Sequence, residues 1–166
     1  MTLEEAVAEA ERLVGAEDES ALARLRVMWD DEIEAAVRHA DYRVRGQGLR
    51  AVASFRFRQK LELLRRGLDD ESPAVRGSAL IALESLSRGH PGDIGSFRRL
   101  LESLAFRDPS LAVRRLAIVC FRNGAPDVST ARLLDGIAAD DEADADVRKT
   151  ARAVATLLAK KAREKR

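Results

Sequence analysis

One short pattern recurs four times along the chain, and it constrains the fold more than any other feature. Aligned on Val44, Val75, Val113 and Val147, each copy continues with an arginine: Arg45, Arg76, Arg114 or Arg148. Four residues after the valine stands a small residue (Gly48, Ala79, Ala117, Ala151), and at seven come Ala51, Ala82, Cys120 and Val154. At eight come Val52, Leu83, Phe121 and Ala155, and at eleven Phe55, Leu86, Gly124 and Leu158. Offsets 0, 4, 7, 8 and 11 fall on one face of an α-helix. Three residues ahead of each valine sits Asp41, Ser72, Ser110 or Asp144, types whose side chains cap helix N-termini. The copies lie 31, 38 and 34 residues apart, a period that marks an array of structural repeats.

Each repeated helix has a partner ahead of it. Apolar clusters at Ala36-Val37/Ala40, Leu63-Leu64/Gly67, Leu100-Leu101/Leu104 and Leu133-Leu134/Ile137 each run into an acidic turn at Asp41, Asp69-Asp70, Asp108 or Asp140-Asp141. The unit is therefore helix, tight acidic turn, helix. Pro73 and Pro109 stand where a first helical turn tolerates proline. His90-Pro91-Gly92 and Asn123-Gly124-Ala125-Pro126 break the chain between units. Ahead of the first unit, Thr2-Leu3-Glu4-Glu5 has the form of a capping box. The helix it opens matches no repeat column and reads as an N-terminal cap over residues 2–15. Gly15–Glu19 reads as an acidic linker, with Ser20 able to cap the next helix. The expected organisation is a single repeat domain over 1–166: cap 2–15, repeats 20–55, 57–87, 93–123 and 126–160, and a basic tail 161–166.

Composition agrees with closely packed helices. Hydrophobic residues make up 46% of the chain but aromatics only 4%, so the core is expected to consist of Ala, Leu and Val. Trp29 lies in the middle of a stripe over residues 21–40 formed with Leu22, Leu25, Ile33, Val37 and Ala40, beside Asp30, Asp31 and Glu32. It reads as a core anchor, because the acids around it would repel the phosphates of a stacked nucleotide. Cys120 sits in the small-residue column and reads as a buried small hydrophobe. Gly48 suits a close helix approach; Gly46 points away from the stripe and has no assigned partner. The N-terminus lacks the basic and apolar regions of a signal peptide, and no apolar run is long enough to span a membrane, so the expected location is the cytoplasm.

No catalytic or metal constellation stands out. His39 and His90 have no spaced metal-binding partners. Asp140–Asp146 is acidic but lacks the glycine and terminal glutamate of a calcium-binding loop. Neither a P-loop nor GxGxxG, GxSxG or HExxH occurs. The expectation is a non-enzymatic protein without cofactor. Net charge is +1 but strongly banded: −8 over residues 1–42, +7 over 43–66, −3 over 67–97, +4 over 98–122, −6 over 123–147 and +7 over 148–166. Such banding fits a solvated surface with ion pairs between repeats, or basic stripes for an acidic partner.

The pattern D-x-x-V-R-x-x-A-x-x-A-L-x-x-L, behind a leucine-rich helix and an acidic turn, resembles HEAT repeats. Ser72–Leu86 (SPAVRGSALIALESL) is the closest stretch. The short period is similar to the HEAT-like subset found in phycocyanobilin lyases. The resemblance implies an all-α fold: an α-solenoid of four HEAT-like helix pairs with an N-terminal capping helix. It also implies a structural ladder in which Asp41, Asp70, Asp108 and Asp141 contact Arg45, Arg76, Arg114 and Arg148 of adjacent units. In such folds the second helix of each pair lines the concave side, where offsets 2, 6 and 9 lie opposite the buried stripe. These positions supply Arg50, Ile81, Glu84, Arg115, Val119, Arg122 and Lys149 as candidate partner-binding residues. Two readings of Ile81 and Val119 stand at this point: further core, or the apolar centre of a groove with a charged rim. The function implied first is a scaffold for a protein or peptide partner. Basic stripes gripping a nucleic-acid backbone are the alternative, and a bilin-lyase-like factor is a third.

Overall fold

The computed structural model describes residues 1–165; Arg166, the last residue of the basic tail, lies outside them. The described residues form helices joined by turns, with no strand among them. In chain order these are α1 (Leu3–Gly15), α2 (Glu19–Val37), α3 (Tyr42–Ser54), α4 (Leu61–Leu68), α5 (Pro73–Ser87), α6 (Pro91–Arg107), α7 (Leu111–Cys120), α8 (Val128–Ala139) and α9 (Ala145–Glu164), with 3-10 turns at Arg58–Lys60 and Phe121–Asn123. This is the all-α architecture of HEAT-like helix pairs read from the repeat: α2/α3, α4/α5, α6/α7 and α8/α9, preceded by α1. The chain divides into two compact units, residues 1–86 and 87–166.

Helix starts follow the capping signals. The Thr2 hydroxyl accepts from the Glu5 N–H at 3.2 Å and the Glu5 carboxylate accepts from the Thr2 N–H at 2.7 Å, which completes the capping box of α1. Asp41, Ser110 and Asp144 cap α3, α7 and α9. The start of α2 differs from expectation. Asp18, not Ser20, accepts the first free N–H of that helix, from Ala21 at 3.0 Å. This happens because α1 closes in a tight turn: the Asp18 N–H reaches the Leu13 carbonyl while Glu17 takes a left-handed φ of 56°.

The repeated stripe is the core of both units. Of the residues at offsets 0, 4, 7, 8 and 11, only Val44 and Ala155 are half-buried; the rest are buried. Trp29 lies in the core of the first unit and Cys120 in that of the second, as their positions in apolar stripes suggested. Each buried Leu or Phe contributes about 1.5–3 kcal/mol relative to exposure.

Glycine sets how closely the helices approach. A Cβ on Gly48 would lie 2.8 Å from the Val37 backbone nitrogen, so α3 packs directly on the end of α2. A Cβ on Gly67 would meet Leu49 and Ala79, which presses α4 between α3 and α5. Gly46 does not point into empty space. It is buried, and a Cβ there would stand 3.2 Å from the Ser78 hydroxyl on α5. Gly46 thus gives α3 a second close contact, made toward α5 of the next helix pair rather than along its own stripe.

Candidate functional site

The arginine after each of the first three repeat valines has a structural task. Arg45 Nη1 donates to the His39 and Ala40 carbonyls at 3.0 and 2.9 Å. Arg76 Nη1 donates to Asp70 O and Glu71 O at 2.9 and 3.2 Å, and Arg114 Nε donates to Asp108 O. In each case the side chain reaches five or six residues back and ties down the carbonyls of the acidic turn. The carboxylates of those turns accept from the N–H two residues on: Asp70 from Ser72 and Asp108 from Ser110, both at 2.9 Å.

One rung of the expected ladder is formed in the first unit. Arg45 binds Asp70 of the next repeat in bidentate fashion, Nε to Oδ2 at 2.8 Å and Nη2 to Oδ1 at 3.0 Å. Burial alone pushes the Asp70 carboxyl up. The Arg45 hydrogen bonds, the Ser72 N–H and the charges of Arg45 and Arg76 together outweigh it and hold the group below its ordinary value. Asp41 departs from the ladder: it caps its own helix and pairs with Arg43 at 3.1 Å. Arg148 also departs, standing 3.7 Å from the fully exposed Asp141 of its own unit. The turn ahead of α9 is longer than the others, which leaves Arg148 away from carbonyls that its counterparts reach.

A recurrent device closes the second helices at their C-termini. Arg26 donates to the Phe55 carbonyl after α3 at 3.0 Å, and Arg58 to Leu86 O on α5 at 2.8 Å. Lys161 donates to the Arg122 carbonyl after α7. Each cation sits at the negative end of a helix dipole. No single-sequence signal marks these partners, because the donor comes from a different helix each time.

These contacts leave one face of each second helix open. In the first unit, α1, α3 and α5 line an open cleft of about 630 Å³. Its apolar lining includes Leu3, Val7 and Val14 from α1, Ala53 from α3 and Ile81 from α5. Glu4, Glu11, Arg50 and Arg56 bring charge to the same wall, and Glu11 is fixed by the Ser54 hydroxyl at 2.9 Å. Ile81 is 53% exposed, a large apolar side chain left in solvent beside the cleft. Arg50 is exposed and Glu84 half-buried. The structure thus brings Arg50 and Ile81 together at one cleft, whereas Glu84 is not among its lining residues. The part played by α1 escapes the repeat pattern. Its apolar residues match no column, and their place on this wall depends on packing against α3.

In the second unit, Arg115 and Val119 on α7, Arg122 just beyond it, and Lys149 on α9 occupy the predicted offsets of two helices that pack together. Arg115, Arg122 and Lys149 are exposed and Val119 is half-buried. His39 and His90 are exposed and lie in a turn and at a helix start. Among the described residues no group of three or more His, Cys, Asp or Glu is placed to hold a metal ion. No helix there is long and apolar enough to cross a membrane.

Residues 30–103, from the middle of α2 to within α6, match the sequence family of HEAT repeats. Over this span the chain carries HEAT repeats. The matched span includes the Arg45–Asp70 rung and the Ser72–Leu86 stretch closest to the repeat pattern. No curated protein matches the chain. A HEAT-repeat array is a helical scaffold of a kind often used for protein interaction, and its function resides in the particular faces it leaves open.

Proposed function

We propose that this HEAT-repeat protein is a non-enzymatic scaffold that binds a protein or peptide partner on the faces of its second helices opposite the buried stripe. The observation that carries this reading is Ile81. An isoleucine 53% exposed beside a cleft of about 630 Å³ has no packing role to explain it. The cleft's apolar lining with Glu4, Glu11, Arg50 and Arg56 around it has the make-up of an interface: apolar centre, polar rim. Its volume falls within the range of about 300–1,000 Å³ typical of binding sites. A large apolar side chain of a partner, seated against Val7, Ala53 and Ile81, is the expected anchor.

The test is a photo-crosslinking residue placed at Ile81 in the protein expressed in its native cell, with Val128, exposed on α8, as the control position. Specific adducts at 81 and none at 128 are expected. Equal adducts at both positions, or none at 81, would remove the reading. Ile81→Asp is expected to keep native helicity by circular dichroism, because the side chain already meets water.

A further inference from the structure

The open face of α7 and α9 has a charge pattern that the first unit does not share. Arg115, Arg122, Lys149, Lys160 and Arg163 are all exposed, and none forms an ion pair with a described residue. Most acids of this unit lie elsewhere: Asp93, Glu102 and Asp108 on or just after α6, and Asp127, Asp135, Asp140, Asp141 and Glu142 on α8 and its flanking turns. On α9 itself Asp146 and Glu164 stand at the two ends, and residues 147–163 between them contain no acid.

Arg115 and Lys149 share one outward repeat offset, and Val119 and Ala153 another, on two helices that pack together. Val119 is half-buried and Ala153 exposed, and half-buried Leu157 follows Ala153 by one helical turn, so apolar side chains share this face with the cations. Lys161 adds its charge at the Arg122 carbonyl. Exposed like charges on one face, without counter-charges, create a field that attracts anions.

We infer that this face is the docking site for an acidic amphipathic helix, whose carboxylates meet the flanking cations and whose apolar residues cover Val119, Ala153 and Leu157. The inference deepens the scaffold reading and rests on it. Charge complementarity selects an acidic occupant, and the apolar side chains select a peptide over a nucleic acid. A phosphate backbone has no use for them, and neither α7 nor α9 contains an aromatic residue on which a base could stack.

The probe is a fluorescein-labelled helical peptide of about 18 residues, roughly 27 Å long, with leucines at i, i+3 and i+4 spacing and glutamates elsewhere. A scrambled peptide of the same composition and a labelled DNA duplex serve as comparisons. Fluorescence anisotropy with the full chain at low salt is expected to show binding of the amphipathic peptide and at least about tenfold weaker binding of the scrambled one. Arg115→Glu with Lys149→Glu is expected to weaken the amphipathic peptide at least about tenfold. Val119→Asp should weaken it as well, while Arg99→Glu, at an exposed cation on α6 outside both faces, should leave it unchanged. Circular dichroism of each variant establishes that it folds.

Equal binding of the scrambled peptide, no binding of either peptide, or tighter binding of the duplex with the same variant dependence would each overturn the inference. So would self-association of the chain that the double charge reversal abolishes, since the occupant would then be a second copy. Failure here with intact crosslinking at Ile81 removes only the acidic-helix inference. Failure of the crosslinking at Ile81 removes the scaffold reading by itself.

Discussion

The two units use the same helical stripe but dispose of their charges in opposite ways. In the first, Arg12, Arg26, Arg38, Arg43, Arg45 and Lys60 each meet a carboxylate. Lys60 alone bridges Asp30 at 2.6 Å and Glu34 at 2.7 Å, and lies over the Phe57 ring. In the second, cations without ion partners among the described residues collect on α7 and α9, while acids lie on α6, on α8, in the adjoining turns and at the ends of α9. The unit with the paired cations has an apolar cleft lined in part by an extra helix, α1. The unit with the unpaired ones presents a basic surface on α7 and α9. A repeat fold fixes which offsets are buried; it leaves the rest of each helix free to carry different chemistry.

The largest expected effects ask whether the cores are equivalent. Phe55→Ala and Phe121→Ala each remove a fully buried ring and are expected to cost about 3–5 kcal/mol in denaturant unfolding. A cost below about 1 kcal/mol for one and not the other would break the equivalence. Close approach comes next. Gly48→Ala sets a methyl against the Val37 backbone and is expected to destabilise by about 1–3 kcal/mol. Gly124→Ala would meet Ile94 Cγ2 at 2.6 Å and Cβ at 3.0 Å, in a fully buried β-branched side chain, so its cost should be of similar size.

The Arg45–Asp70 rung makes the first unit sensitive to acid. The Asp70 carboxyl lies lower in the folded chain than in the unfolded one, so its contribution is complete above the unfolded value and is lost as pH falls through the folded value. Asp70→Asn should lower the melting temperature at neutral pH and flatten its fall in acid. Asp141→Asn, at a fully exposed carboxylate 3.7 Å from Arg148, should change the melting temperature little. An equal loss from both substitutions would contradict the asymmetry between the rungs.

The smallest effect sharpens the comparison from the surface. Gly136→Ala, in the interior of α8 with nothing within 4 Å of the new methyl, should stabilise by about 0.5–1 kcal/mol.

The architecture was legible because helix burial repeats with a fixed period: offsets 4, 7 and 11 predicted Ala79, Ala82 and Leu86 as core, and they are buried. Caps at Thr2, Asp41, Ser110 and Asp144 were legible because capping acts over three residues. The contact of Gly46 with Ser78 was not, since it joins helices of successive repeats and no local spacing encodes it. The Arg45–Asp70 rung, whose partners lie 25 residues apart, was expected only through the resemblance to HEAT repeats, and it is formed. Of the candidate positions, sequence identified Ile81 and Arg50 by offset. It could not find Leu3, Val7 and Val14 as part of the same wall, because α1 belongs to no repeat.

Trp29 and Tyr42, the chain's one tryptophan and one tyrosine, both lie in the first unit, while Cys120, the one cysteine, is buried in the second. Each half therefore carries its own built-in gauge. Indole emission follows melting of residues 1–86, and the rate at which a thiol reagent reaches Cys120 follows opening of residues 87–166. Read side by side in one denaturant series, fluorescence and thiol accessibility can report whether the halves let go together or one after the other, with no label added.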